Sequence, residues 1–156
     1  MRGKQAPRRE ILPDPKYRNL LVAKLVNCIM KNGKKNVAQT VVYDAFNLMQ
    51  EKSQKDPLEL FDTALKNTMP SLEVKSRRVG GANYQVPIPV RGERRTLLAF
   101  RWIIGAARGK KGRRMAEKLA DELLAAANNE GDAVRKKTDV QRMAEANRAF
   151  AHFAKK

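Results

Sequence analysis

Glu73-Val74-Lys75-Ser76-Arg77-Arg78-Val79-Gly80-Gly81-Ala82-Asn83-Tyr84-Gln85-Val86-Pro87-Ile88-Pro89-Val90 decides the fold, because here the apolar pattern changes from helical spacing to strict alternation. Gly80, Gly81, Ala82 and Asn83 tolerate positive φ, so a β-hairpin is expected over 73–90, with its tip running from Gly80 to Tyr84. Tyr84, Val86, Ile88 and Val90 fall on one face of the returning strand. Pro87 and Pro89 bring no ladder donor. Two residues apart, they would have turned their amides to the same side, which in a two-stranded ribbon can be the unpaired outer edge. Lys75, Arg77 and Arg78 on the outgoing strand keep the ribbon from burying itself, and a lone pair of strands is marginal in water. The ribbon is therefore expected to project and to be ordered by a partner.

Outward from the ribbon, the spacing is helical. Before it, Leu20, Leu21, Leu25, Val26, Cys28 and Ile29 predict a short, well-buried helix stopped by Asn32-Gly33. A second helix follows from about Asn36, with Val37, Val41, Val42, Ala45, Phe46, Leu48 and Met49 inward. A third opens with Asp56 as cap, Pro57 at the first position and Glu59 placed for a capping box, and buries Leu60, Phe61, Ala64 and Leu65. After the ribbon, Leu97, Phe100, Ile103, Ile104 and Ala107 build the inner face of a fourth helix over about Gly92 to Arg108. A flexible basic loop, Gly109 to Arg114, leads to a fifth helix holding Met115, Leu119, Leu123 and Leu124. A sixth begins at Asp132, with Val134, Val140, Met143, Ala144 and Phe150 inward. The expected fold is mainly α: a single domain over residues 1–156 of about six helices, a two-stranded antiparallel ribbon between the third and fourth, and an extended basic tail over 1–18.

Charge indicates what such a domain meets. The net charge is +17, and it is clustered: residues 1–36 carry 10 Lys and Arg against 2 acids, and residues 75–118 carry 13 against 2. Solubility needs a magnitude of only about 2 to 8, so the excess implies a polyanionic partner. Arg94, Arg101 and Arg108 recur every seven residues along one line of the fourth helix, a candidate rail for a phosphate backbone. Arg135, Lys136, Lys137 and Arg142 are weaker candidates. Structured RNA fits a tail, a rail and an arm better than duplex DNA does, since no compact helix-turn-helix with a recognition helix is present. Aromatics are only 6% of the chain and fall mostly on helices, which disfavours a single-strand stacking module; Tyr84 is the exception. An architectural DNA-binding protein is the second reading and an RNA-modifying enzyme the third.

Catalytic chemistry has little to work with. His152 is the single histidine, so no nucleophile–histidine set is completed, zinc-ligand spacing is absent, and no cofactor is expected. Gly105 to Lys110 is one residue short of a phosphate loop, follows a helix, and lacks the Ser or Thr. Asp121 and Glu122, adjacent on a helix, do not face each other and are expected to be solvated. The single cysteine, Cys28, reads as a small buried hydrophobe in a reducing compartment. The run Leu20 to Met30 is interrupted by Lys24 and Asn27, lacks a cleavage site, and is too short to span a bilayer, which points to the cytosol and no membrane partner.

Long ordered segments carry a resemblance over essentially the whole chain: Asp14-Pro15-Lys16-Tyr17, Lys24-Leu25-Val26-Asn27, Met30-Lys31-Asn32-Gly33-Lys34-Lys35, the ribbon from Glu73 to Pro87, and Arg142 to His152. In these the sequence resembles the ribosomal protein S-seven family of the bacterial small subunit. The resemblance implies binding to the 3′ major domain of small-subunit ribosomal RNA, nucleation of head assembly, and an arm near the exit-site transfer RNA and the messenger path. It implies RNA contact at Arg2, Lys4, Arg8, Arg9, Lys16, Lys34 and Lys35, at Lys75, Arg77 and Arg78, and along Arg91, Arg94, Arg95, Arg101, Arg108, Lys110, Lys111, Arg113 and Arg114. The arm's role falls to Arg77, Arg78, Gly80, Gly81, Ala82, Asn83 and Tyr84. Ribosomal proteins S-nine and S-eleven are implied partners, no small-molecule substrate is implied, and some members also repress translation of their own messenger.

Overall fold

The structure, a computed structural model, describes residues 3, 6, 7 and 9–155, apart from the side chains of 154 and 155. The tail residues Arg2, Lys4 and Arg8 lie outside the described residues. The described chain is mainly α, with six α-helices, one antiparallel strand pair and a C-terminal 3-10 helix: α1 (Leu20–Ile29), α2 (Lys35–Ser53), α3 (Pro57–Thr68), β1 (Leu72–Val79), β2 (Ala82–Pro89), α4 (Glu93–Gly109), α5 (Met115–Ala127), α6 (Asp132–Ala146) and the 3-10 helix (Arg148–Lys155). It divides into two compact units, residues 1–40 and 41–156.

In the first unit, Asp14 organises the entry to α1. Its carboxylate accepts the amides of Lys16 and Tyr17, each at 3.1 Å, and its carbonyl accepts the Arg18 amide at 2.8 Å. Asn19 then caps α1 by accepting the Leu21 amide at 2.7 Å. Val22, Leu25, Val26 and Ile29 are buried, but Leu20 is exposed and Cys28 only half-buried, so α1 turns one stripe inward rather than being enclosed. Val37, expected inside, is 60% exposed on the first turn of α2.

The second unit has an aromatic centre. Phe46 of α2 and Phe61 of α3 lie 5.4 Å apart, Phe61 and Phe100 of α4 lie 6.3 Å apart, and all three are buried. Helix α3 packs against α5 and α4, and α4 against α5 and α6. Asp56 caps α3 by accepting the Leu58 amide at 3.0 Å. Polar ties join the far ends: Asn67 donates to the Ala126 and Ala127 carbonyls at 2.9 and 3.0 Å, satisfying the last turn of α5, while Lys137 donates to the Asn67 carbonyl at 2.6 Å. Lys137 is thereby a structural tie, not an open contact.

Helix α6 ends at Ala146, earlier than its apolar spacing suggests. Met143 is 45% exposed, and Phe150 belongs to the 3-10 helix that follows. This segment supports the ribbon from within the chain, a role that the sequence leaves to a partner. Both strands pack on α6, and β2 packs on the 3-10 helix. The Tyr84 ring lies 5.0 Å from Phe150 and 5.5 Å from Phe153. The ribbon is braced by the protein's own C-terminal segment, which supplies the third layer that two strands need.

Within the ribbon, Gly80 and Gly81 take φ of 57° and 90°, a two-residue turn with both central residues left-handed, and Val79 pairs with Ala82. Counted from that first pair, Pro87 and Pro89 fall opposite Val74 and Leu72 at alternate positions where ladder amides point outward. The same register places Arg77 opposite Tyr84 and Arg78 opposite Asn83, on opposite faces of the ribbon.

Candidate nucleic-acid interface

The register separates two neighbouring arginines. Arg77 lies on the braced face, half-buried, with Nη1 donating to the Phe153 carbonyl at 2.8 Å. Arg78 lies on the other face, exposed beside Asn83 and Gln85. At the base of the ribbon, Glu73 shares a face with Lys75 and holds two cations: Lys75 Nζ at 2.8 Å, and Arg94 through Nη2 at 2.9 Å and Nε at 3.1 Å. Arg95 donates to the Pro70 carbonyl at 3.1 Å. The proposed rail is thus uneven. Arg94 is tied to the ribbon, whereas Arg101 is exposed and in no ion pair among the described residues. Arg108 and Arg91 are also exposed.

The loop between α4 and α5, which its composition suggests is flexible, is tied to α5 through two of its cations. Lys110 Nζ sits 2.6 Å from Oε2 of Glu122, and Arg113 Nη1 donates to Oδ2 of Asp121 at 2.9 Å. Lys52 of α2 reaches Oδ1 of the same Asp121. Glu122 is completely buried, contrary to its expected solvation, because Lys110 neutralises it and the Ala133 amide donates to Oε1 at 2.9 Å. Lys111 stays exposed; Arg114 borders a groove whose other lining includes Asp44, Glu51 and Glu117.

In the first unit, Arg9, Lys16, Lys34 and Lys35 are exposed, with Lys16 Nζ 5.1 Å from the Tyr17 ring centroid. A turn closed by the Lys34 amide on the Lys31 carbonyl, at 3.0 Å, places Lys31 beside Lys34. Lys31 is not among the residues expected to touch RNA, although Asn32-Gly33 between two lysines signals such a turn. Glu73 is likewise unexpected as an organiser of the surface, Asp121 and Glu122 are expected only as solvated acids, and the ring cluster of Tyr84, Phe150 and Phe153 is not expected at all. Glu73 was within reach, since residues two apart on a strand share a face; the ring cluster was not, since it depends on where the chain end docks.

Two carboxyls of this surface favour their charged form. Burial works against the charge on Glu73, but hydrogen bonds and charge from Lys75 and Arg94 outweigh it and hold its carboxyl below the ordinary value. The Lys52 hydrogen bond leads at Asp121; burial opposes it, and the charges of Lys52, Arg113 and Lys110 add to it, so this carboxyl is also held low. A lowered folded-state pKa stabilises above the unfolded value and is lost as pH falls through the folded one. Stability is therefore expected to drop as pH falls below about 4. A Glu73→Gln/Asp121→Asn variant should start less stable and lose less on acidification. Urea midpoints between neutral and acid pH check this; parallel acid loss in both proteins would place the sensitivity elsewhere.

A mainly helical body that displays cations, some of them pinned by its own acids, has the electrostatic character of a protein that faces a polyanion. Over residues 1–148 the chain matches the family described as Ribosomal protein S7p/S5e. It is 61% identical over 153 residues to the small ribosomal subunit protein uS7 of Thermotoga neapolitana, covering 98% of this chain and 99% of that one. The uS7 proteins of Desulfitobacterium hafniense and Streptococcus uberis are 58% and 54% identical, covering 94% and 97% of both chains. The chain belongs to the ribosomal protein S7p/S5e family and is a structural ribosomal protein, not an enzyme. Among the described residues, no helix is long and apolar enough to cross a membrane.

Proposed function

We propose that this protein is a structural constituent of the small ribosomal subunit in the cytoplasm that binds the 3′ major domain of small-subunit ribosomal RNA and nucleates assembly of the head. The observation that carries the reading is the fixed display of exposed cations in the second unit: Arg78 on the ribbon, Arg101 on α4 and Lys111 on the loop, each on an element held by internal ties. Such cations release counterions from phosphates, and a rigid display is satisfied only by an RNA whose backbone passes all of them. The unbraced face of the ribbon, with Arg78, Asn83 and the turn, is the part that meets exit-site transfer RNA and messenger. Proteins S-nine and S-eleven are its neighbours in this assignment, and repression of its own messenger would use the same surface on a similar RNA fold.

Equilibrium binding to a 3′ major domain fragment, competed with duplex DNA and scrambled RNA across salt, tests it. The fragment is expected to outcompete both by several orders of magnitude at physiological salt. Salt dependence alone decides nothing, since 6–10 phosphate contacts cost any complex about 10³–10⁵ between 50 and 200 mM. Equal competition by all three would leave a general polyanion binder, and comparable affinity for duplex DNA alone would favour the architectural DNA-binding reading.

A further inference from the structure

We infer that the cationic loop is divided in function: Lys110 and Arg113 are struts, Glu122 is the positioning residue that holds the loop, and Lys111 is the loop's phosphate ligand. The inference rests on the RNA-binding reading above and deepens it. In sequence the cations are equivalent; in the structure their surroundings differ. Lys110 Nζ is 2.6 Å from a carboxylate that is completely buried. Were Lys110 to leave for a phosphate, Glu122 would remain charged and unpaired in the interior, a state that is strongly disfavoured. Glu122 is itself locked, because Oε1 accepts the Ala133 amide at 2.9 Å. The backbone of Gly131 closes over it with φ +91°, so near that a Cβ there would lie 2.9 Å from Oε1.

The other end of the loop is held from the preceding position of the same helix. Asp121 is turned about 100° from Glu122 around α5, so the two acids grip different parts of the loop. Asp121 takes Arg113 at 2.9 Å and Lys52 on its other oxygen. Arg114 borders the acidic groove and is not assigned. Lys111 is exposed, between the two anchors, and in no ion pair among the described residues. Its ammonium can reach a phosphate without leaving an acid behind.

The salt slope of RNA affinity separates struts from ligands, since only a cation that neutralises a phosphate contributes to it. With the full chain and the ribosomal RNA fragment, Lys111→Met is expected to reduce the slope by about 0.9 while leaving the melting temperature unchanged. Lys110→Met should leave the slope unchanged and lower the melting temperature. Should Lys110→Met fail to fold, Lys110→Met/Glu122→Gln removes both charges and reads the same slope. Glu122→Gln keeps an acceptor for the Ala133 amide but releases Lys110, so trypsin should cut the loop several-fold faster than in the wild type. A slope loss in Lys110→Met equal to that in Lys111→Met overturns the inference, as does unaltered tryptic cleavage in Glu122→Gln. Equal binding of RNA and duplex DNA by the wild type would count against the ribosomal reading instead, while cleavage and melting would still decide whether Lys110 is a strut.

Discussion

Phe61→Ala is expected to cost about 3–5 kcal/mol and to lower the melting temperature by roughly 10 °C or more. Phe61 is completely buried, with its ring between Phe46 at 5.4 Å and Phe100 at 6.3 Å, so one side chain couples α2, α3 and α4. Truncation removes the transfer free energy of the ring and opens a cavity that α3 cannot readily close by itself, because Asn67 and Lys137 tie its end to α5 and α6. Phe61→Leu should cost well under half as much, since most of the volume remains. Thermal and urea unfolding of both variants measure the difference. Equal, small losses would mean that the centre collapses freely and that the aromatic stack is not what couples the helices.

The second large effect is on affinity. Arg78→Ala/Arg101→Ala/Lys111→Ala is expected to reduce the salt slope of RNA binding by about one per residue and to weaken binding roughly a hundredfold or more at physiological salt. Unfolding should be nearly unchanged, within about 0.5 kcal/mol per site, because all three side chains are exposed. The matched variant Arg77→Ala/Arg94→Ala/Arg113→Ala removes the same charge from residues that hold the Phe153 carbonyl, Glu73 and Asp121. It should lose stability first, with a smaller change in slope. Binding titrations over salt, paired with melting curves, compare the two. An exposed-triple variant that binds like the wild type would reduce the outer cations to a solvated face.

Much of this was legible along the chain. The switch to alternation at Glu73, the two glycines of the turn and the proline spacing specify the ribbon, and Asp56-Pro57 specifies the start of α3, because each rests on local backbone chemistry. The excess of positive charge was legible as well, since net charge is additive and needs no fold. What could not be read was which cations are available. Lys110 and Lys111 are indistinguishable by composition, as are Arg77 and Arg78 by type. One arginine donates to a carbonyl of a segment that begins some 70 residues later, and one lysine neutralises an acid buried by a neighbouring helix.

The sequence by itself therefore determined the helical class, the ribbon with its turn, and the clustered excess of positive charge. Only the tertiary structure decided that the ribbon rests on the C-terminal aromatics, that Glu122 is enclosed, and that some cations are held by internal partners while others stay exposed. The reason is physical: propensity, turn chemistry and total charge are local or additive, whereas the pairing of a charge depends on which distant group the folded chain brings within about 4 Å and how much water remains around both.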